Sequence, residues 1–205
     1  MNRPDFERAR DYALARLAND LPAGLHYHSL WHTRDDVVPA VERLADIVGV
    51  NGEARLLLLT AAYYHDVGFV EQRIDHEEVG VRIAREVLPD FGYTPDQIDQ
   101  ISGMIMATKL PQSPHNLLEE LLADADLDNL GRDDFFQRSQ ALRVEVAFYE
   151  APAASNKDWN ARQVKFLQAH HFFTRAAKAL REARKRENLQ ILLEWQARYD
   201  QDGDR

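Results

Sequence analysis

The sequence predicts an all-α fold, and three observations carry that prediction. Apolar residues recur at helical spacing along most of the chain, no alternating run is bounded by turns, and residues that start and stop helices punctuate the pattern. Phe6, Ala9, Ala13, Leu14 and Leu17 follow Pro4-Asp5 and place a first helix at about 5–19. A loop from Leu21 to Tyr27 leads to a second helix from about Ser29 to Val48, in which Pro39 is expected to produce a kink. Asn51-Gly52 ends that element, and Glu53 to Asp66 forms a third helix that stops near Gly68. Asp75 with Glu78 reads as an N-cap with its capping-box acid, opening a helix to about Leu88. Thr94-Pro95 reads as the cap and first position of another, to about Ala107. After a proline-flanked loop at Lys109 to Ser113, His115 to Leu127 and Asp133 to Glu150 form two more helices. Ala151 to Lys157 is a small-residue linker, and Trp159 to about Arg198 closes the chain as one long or broken helix before an acidic tail from Asp200.

Composition narrows the function classes. With 205 residues the chain is long enough for a sizeable core, most simply as one domain. The net charge of −9 has the wrong sign for general binding to a phosphate backbone. The basic stretch from Arg175 to Arg186 is expected to be a solvated helix face. The longest apolar run, Leu56 to Tyr64, falls well short of the roughly 20 residues of a membrane span. The first residues, MNRPDFERAR, contain no signal-peptide core, and the absence of cysteine removes disulfide and thiolate chemistry; a cytoplasmic protein is expected.

Three segments carry chemistry. His65-Asp66 lies in the otherwise apolar TAAYYHDVGF. A carboxylate buried there costs several kcal/mol unless it is paired, hydrogen-bonded or bound to a metal. His28 and His32, in YHSLWHT, are one helical turn apart and share a face if both are helical. Asp124, Asp126 and Asp128 crowd into ADADLDNLG, where a cation or solvent exposure would relieve their repulsion. His170, His171, Trp31, Trp159 and Trp195 are expected to pack in a late helix, the core or interfaces.

The order His, His-Asp, Asp resembles the signature of the HD-domain superfamily of metal-dependent phosphohydrolases. The likeness extends through YHSLWHT, AAYYHDVGF, DHEEVG, MIMATKLP, DADLDNLGRDDFF and WNARQVKFLQAHHFFT, so that the chain is similar to the bacterial branch of predicted HD phosphohydrolases. It covers roughly residues 20–180. It implies one helical bundle over 1–205, with a metal site between helices and a helical extension at about 181–199. Carried over by position, it assigns His32, His65, Asp66 and Asp126 as ligands of one divalent ion, with Asp126 preferred to Asp124. It makes His28 the proton donor to the leaving oxygen, as in the cyclic-nucleotide phosphodiesterases of the superfamily. His76, in DHEEVG, is placed as a second-metal ligand or a phosphate contact. MIMATKL lacks the further histidine that two-metal members have, and His115 comes too late, so a full dinuclear site is not expected. Lys109 and Arg34 are candidate phosphate-binding cations.

The implied reaction is hydrolysis of a phosphate ester or anhydride, with a nucleotide or nucleotide-like substrate suggested by analogy. Asp66 would orient the attacking water and His28 would protonate the departing oxygen. Mixed imidazole and carboxylate ligands suit Mn, Fe, Co, Ni or Zn, with Mg possible. Val67, Gly68 and Phe69 stand where alarmone hydrolases carry acids, and the Gly-Tyr-Pro set of cyclic-di-GMP enzymes is absent. The alternatives are a non-catalytic metal- or nucleotide-binding regulatory module and a diiron oxygenase. A monomer or homodimer is expected.

Overall fold

The structure, a computed structural model, describes residues 4–150 and 153–202. Ala151 and Pro152 of the expected linker, and the end of the acidic tail, lie outside them. Among the described residues the regular elements are helical, with no strand: α1 (Phe6–Asn19), α2 (Val38–Val48), α3 (Gly52–Tyr64), α4 (His76–Val87), α5 (Pro95–Ala107), α6 (Leu117–Asp126), α7 (Phe135–Tyr149), α8 (Asn156–Ala169) and α9 (Arg175–Asp202). No helix among them is long and apolar enough to cross a membrane.

The core is built around α3, which buries Leu56, Leu57, Leu58, Thr60, Ala61, Ala62 and Tyr64 and so has no polar face. It packs against α1, α2, α5 and α6. Its polar atoms are matched internally: the Thr60 hydroxyl donates to the Leu56 carbonyl at 2.9 Å, and the Tyr64 hydroxyl donates to the Ala9 carbonyl at 3.0 Å. Capping residues fix several ends. The Asp5 carboxylate accepts from the Arg8 amide, Thr94 and Gln97 form the reciprocal box that opens α5, and the Asn116 carbonyl oxygen accepts from Leu118 and Glu119. Gly49 ends α2 in the left-handed conformation, φ 77°, where only glycine is unstrained.

The sequence expectations need four corrections. The second helix contains a π-helical turn at His32–Val37, in which the Val38 amide donates to the Thr33 carbonyl. Pro39 has no amide to give to an ordinary α-helical ladder, and the wider turn lies immediately before it. The third helix ends at Tyr64, so His65 caps it and Asp66 lies beyond it. At α4, Asp75 adopts φ 56° with no side-chain cap; its carboxylate and that of Glu78 each accept from the Lys109 ammonium at 2.7 Å instead. The final segment is two helices, and His170 and His171 lie in the break between them.

That break has a physical cause. Phe172 leaves the helical path to become fully buried in the main core, and α9 restarts with Thr174 as its cap. Asp124 accepts from the Phe173 amide at 2.7 Å, the Thr174 amide at 2.8 Å and the Thr174 hydroxyl at 2.7 Å. One turn further along, buried Asp128 accepts from Arg181 and Arg43. The basic stretch is therefore not simply solvated: Arg181 is in this network, and Lys185 is buried with its ammonium donating to the His170 carbonyl. Of the three tryptophans only Trp159 is buried; Trp31 and Trp195 are each 37% exposed.

Replacing Asp124 with alanine leaves two buried amides without their acceptor. We expect a loss of about 1–3 kcal/mol in chemical denaturation, with metal affinity unchanged. An unaltered denaturation midpoint would contradict the anchoring role.

Candidate metal centre

Four elements converge beside the end of α3. The π-helical turn brings His32, the last turn of α3 brings His65, the 3₁₀ turn at Val67–Val70 starts from Asp66, and α6 ends on Asp126. His32 Nε2 lies 3.2 Å from Asp126 Oδ1 and 3.8 Å from Asp66 Oδ2. His65 Nε2 lies 3.3 Å from Asp66 Oδ2 and 3.6 Å from Asp126 Oδ1. Ligands about 2.1 Å from one ion stand about 3.0–3.4 Å apart in octahedral or tetrahedral arrangement, so this spacing suits a shared cation. His65 Nε2 and Asp66 Oδ2 are both buried without a hydrogen-bond partner, which is the stronger sign.

The three aspartates of ADADLDNLG divide their work. Asp124 and Asp128, four apart, face α9, whereas Asp126 points to the opposite side and meets the histidines.

The other ring nitrogens set which atoms are presented. His65 Nδ1–H donates to the Ala62 carbonyl at 2.8 Å, leaving Nε2 for a metal. His32 Nδ1 is 3.6 Å from Asp36, whose carboxylate is held by Arg132. His76 Nδ1–H donates to the Arg73 carbonyl at 3.2 Å, and its Nε2 stands 3.4 Å from Asp66 Oδ1 and 3.5 Å from Glu77. Gly68 permits this approach, because a Cβ there would collide with the His76 carbonyl oxygen.

His28 sits on the same side. Its Nδ1 donates to the buried Glu145 carboxylate at 2.5 Å, and Glu145 also accepts from the amides of Tyr27 and His28. The His28, Phe69 and His76 rings stack in sequence, with centroids 4.4 and 3.9 Å apart. His28, Asp66, His76 and Asp126 line a cavity of about 360 Å³. Lys109 and Arg34 do not line it among the described residues. The Lys109 charge is spent on Asp75 and Glu78, and Arg34 pairs with Asp35 at 2.7 Å on the surface.

Glu145, Asp36 and Tyr27 escaped the sequence reading. Glu145 is 118 positions from the Tyr27 amide it accepts from, and no local pattern links them. Asp36, one turn after His32, was accessible to the i,i+4 rule.

The cluster's electrostatics follow from mutual pairing. Burial opposes the charged form of His32, yet donation to the Asp126 carboxylate, the nearby Asp36 carboxylate and the charge of Asp66 raise it to about 9. Burial likewise opposes charge on His65, but Asp66 and Asp126 push it well above its ordinary value. Burial is again outweighed at Asp66, which His65, His76 and His28 hold well below the ordinary carboxylate range. At Asp126, His32 and His65 do the same. The histidine contribution to stability is thus complete below an ordinary value of 6.5 and is lost as pH rises through about 9. The carboxylate contribution is present above an ordinary value of 3.8 and is lost as pH falls through the depressed folded values.

A cation must displace the imidazole protons, so binding should release protons and strengthen as pH rises. We expect the metal-induced rise in Tm to be larger at about pH 8 than at about pH 6. An increment independent of pH would contradict ligation by these histidines.

Comparisons with known proteins agree with this geometry. The HD domain family model matches residues 36–128. A bifunctional uridylyltransferase/uridylyl-removing enzyme of Gluconobacter oxydans is 28% identical over 151 residues, covering 71% of this chain and only 14% of that enzyme. A predicted HD superfamily hydrolase from an uncultured Thermotogales bacterium superposes with a TM-score of 0.61 at 18% identity, over 96% of this chain and 94% of the other. A Lactobacillus plantarum protein superposes with a TM-score of 0.70 at 19% identity, over 96% and 97%. At such identities the two structures speak to fold alone. The family match over residues 36–128 and the His, His-Asp cluster together show that this part of the chain is similar to the HD domain.

Proposed function

We propose that the chain is a metal-dependent phosphohydrolase that cleaves a phosphate ester or anhydride, with a nucleotide or nucleotide-like compound as substrate. The convergence of His32, His65, Asp66 and Asp126 at the wall of a cavity that also holds His28 carries this proposal. The name of the Gluconobacter relative, a uridylyltransferase/uridylyl-removing enzyme, supports a nucleotide-type phosphate as the class.

His32, His65, Asp66 and Asp126 would hold the ion. When bound, a divalent cation would supply Lewis acidity toward a phosphoryl oxygen and lower the pKa of water toward about 7. Asp66 has one oxygen toward the cluster and the other toward His76, so it is placed to accept a hydrogen bond from the attacking water. That water forms the new P–O bond as the bond to the leaving oxygen breaks. With Nδ1 committed to Glu145, His28 has Nε2 left to protonate the departing oxygen. His76, beside Asp66, offsets phosphate charge in this scheme. Lys109 and Arg34 could do so only by leaving their present ion pairs.

A panel of phosphate esters and nucleotides, tested with Mn, Co, Ni and Mg, checks the proposal. Phosphate release should disappear in Asp66→Ala. His28→Gln should lower kcat by about 10²–10⁴-fold while leaving metal content unchanged. Tight nucleotide binding without phosphate release under every cation would favour a regulatory module. Two irons per chain would favour the oxygenase.

A further inference from the structure

We infer that the substrate carries a single phosphoryl group attached to an aromatic organic part, which occupies the apolar end of the cavity. This rests on the proposed placement of the phosphoryl group at the histidine–aspartate end. Away from that end the walls change character. Leu127 and Leu130 follow α6, Phe135 and Leu142 come from α7, and Trp159 and Phe166 come from α8. Phe135 is fully buried, and Trp159 is fixed by donating its indole N–H to Ser139 at 3.1 Å, so this end is pre-shaped rather than collapsible.

Two observations narrow the occupant. Asn129 is among the residues lining the cavity, is 6% exposed, and has its Oδ1 buried with no partner. An orphaned acceptor of this kind calls for a donor on the ligand, such as an N–H or O–H on an aromatic ring. Charge then argues against a polyphosphate chain. Arg162 is the one lysine or arginine among the described lining residues, and it pairs with Glu150 at 3.1 Å. Apart from Asp66 and Asp126 at the metal end, Glu77 is the one acid among the described lining residues, so additional phosphates reaching toward the apolar end would find no lysine or arginine there that is not already paired.

Binding of non-hydrolysable phosphonates to the manganese-loaded protein tests this separately from catalysis. 1-Naphthylphosphonate should bind at least about tenfold more tightly than methylphosphonate. Leu142→Asp, at a half-buried wall position, should reduce that ratio about tenfold, and Leu142→Met should preserve it. Should Leu142→Asp not fold, the ratio for the unaltered protein still decides. Equal affinities, or tighter binding of a non-hydrolysable nucleoside triphosphate than of the naphthyl compound, would overturn the inference. Discrimination between the phosphonates without hydrolysis of any ester would leave it standing and remove the phosphohydrolase proposal. Ester hydrolysis with no discrimination would do the reverse.

Discussion

The structure turns on a cost: two imidazoles and two carboxylates are withdrawn from water at the end of a helix that is apolar all round. Left alone, such groups destabilise a core by several kcal/mol each. Here they are drawn together at 3.2–3.8 Å across His32, His65, Asp66 and Asp126, near enough for their opposite charges to offset one another while His65 Nε2 and Asp66 Oδ2 keep no hydrogen-bond partner. Much of the local architecture serves that meeting. Because α3 stops at Tyr64, Asp66 can swing out of the helix; because α6 stops at Asp126, its last carboxylate faces inward.

The surrounding groups show the same economy. Three histidines at the site have the far nitrogen set by a particular partner, Ala62 for His65, Arg73 for His76 and Glu145 for His28, while His32 Nδ1 stands 3.6 Å from Asp36. Such partners fix ring orientation before any ligand arrives. The cavity joins this polar end to an apolar one made by α7 and α8, elements that contribute little to the main core. The later helices therefore shape the space in front of the cluster while the earlier ones hold the cluster itself.

Most helices were legible from the sequence because their signals are local. Apolar spacing, Asp5 and Thr94-Pro95 act within a few residues, and the structure uses them as written, whereas α2 ends at Gly49 and not at the expected Asn51-Gly52. Of the side chains singled out with the HD resemblance, His32, His65, Asp66, Asp126 and His76 lie near one another, whereas Lys109 and Arg34 are paired elsewhere. What escaped the sequence depends on distant partners. Asp75 and Glu78 had the spacing of a capping box, but Lys109, more than thirty positions away, captures both acids. The break before α9 follows from the burial of Phe172 and the grip of Asp124, neither visible in the helical pattern of that segment. Pro39 signalled a disturbance, but its form as a π-helical turn spanning His32–Val37 was not visible in the local pattern.

The most direct measurement is a crystal structure of the zinc-soaked protein with an anomalous difference map. A single ion should appear at about 2.0–2.2 Å from Nε2 of His32, Nε2 of His65 and the carboxylates of Asp66 and Asp126. A map with no ion there, or with zinc held by other residues while these four keep their own contacts, would contradict the metal centre and everything derived from it.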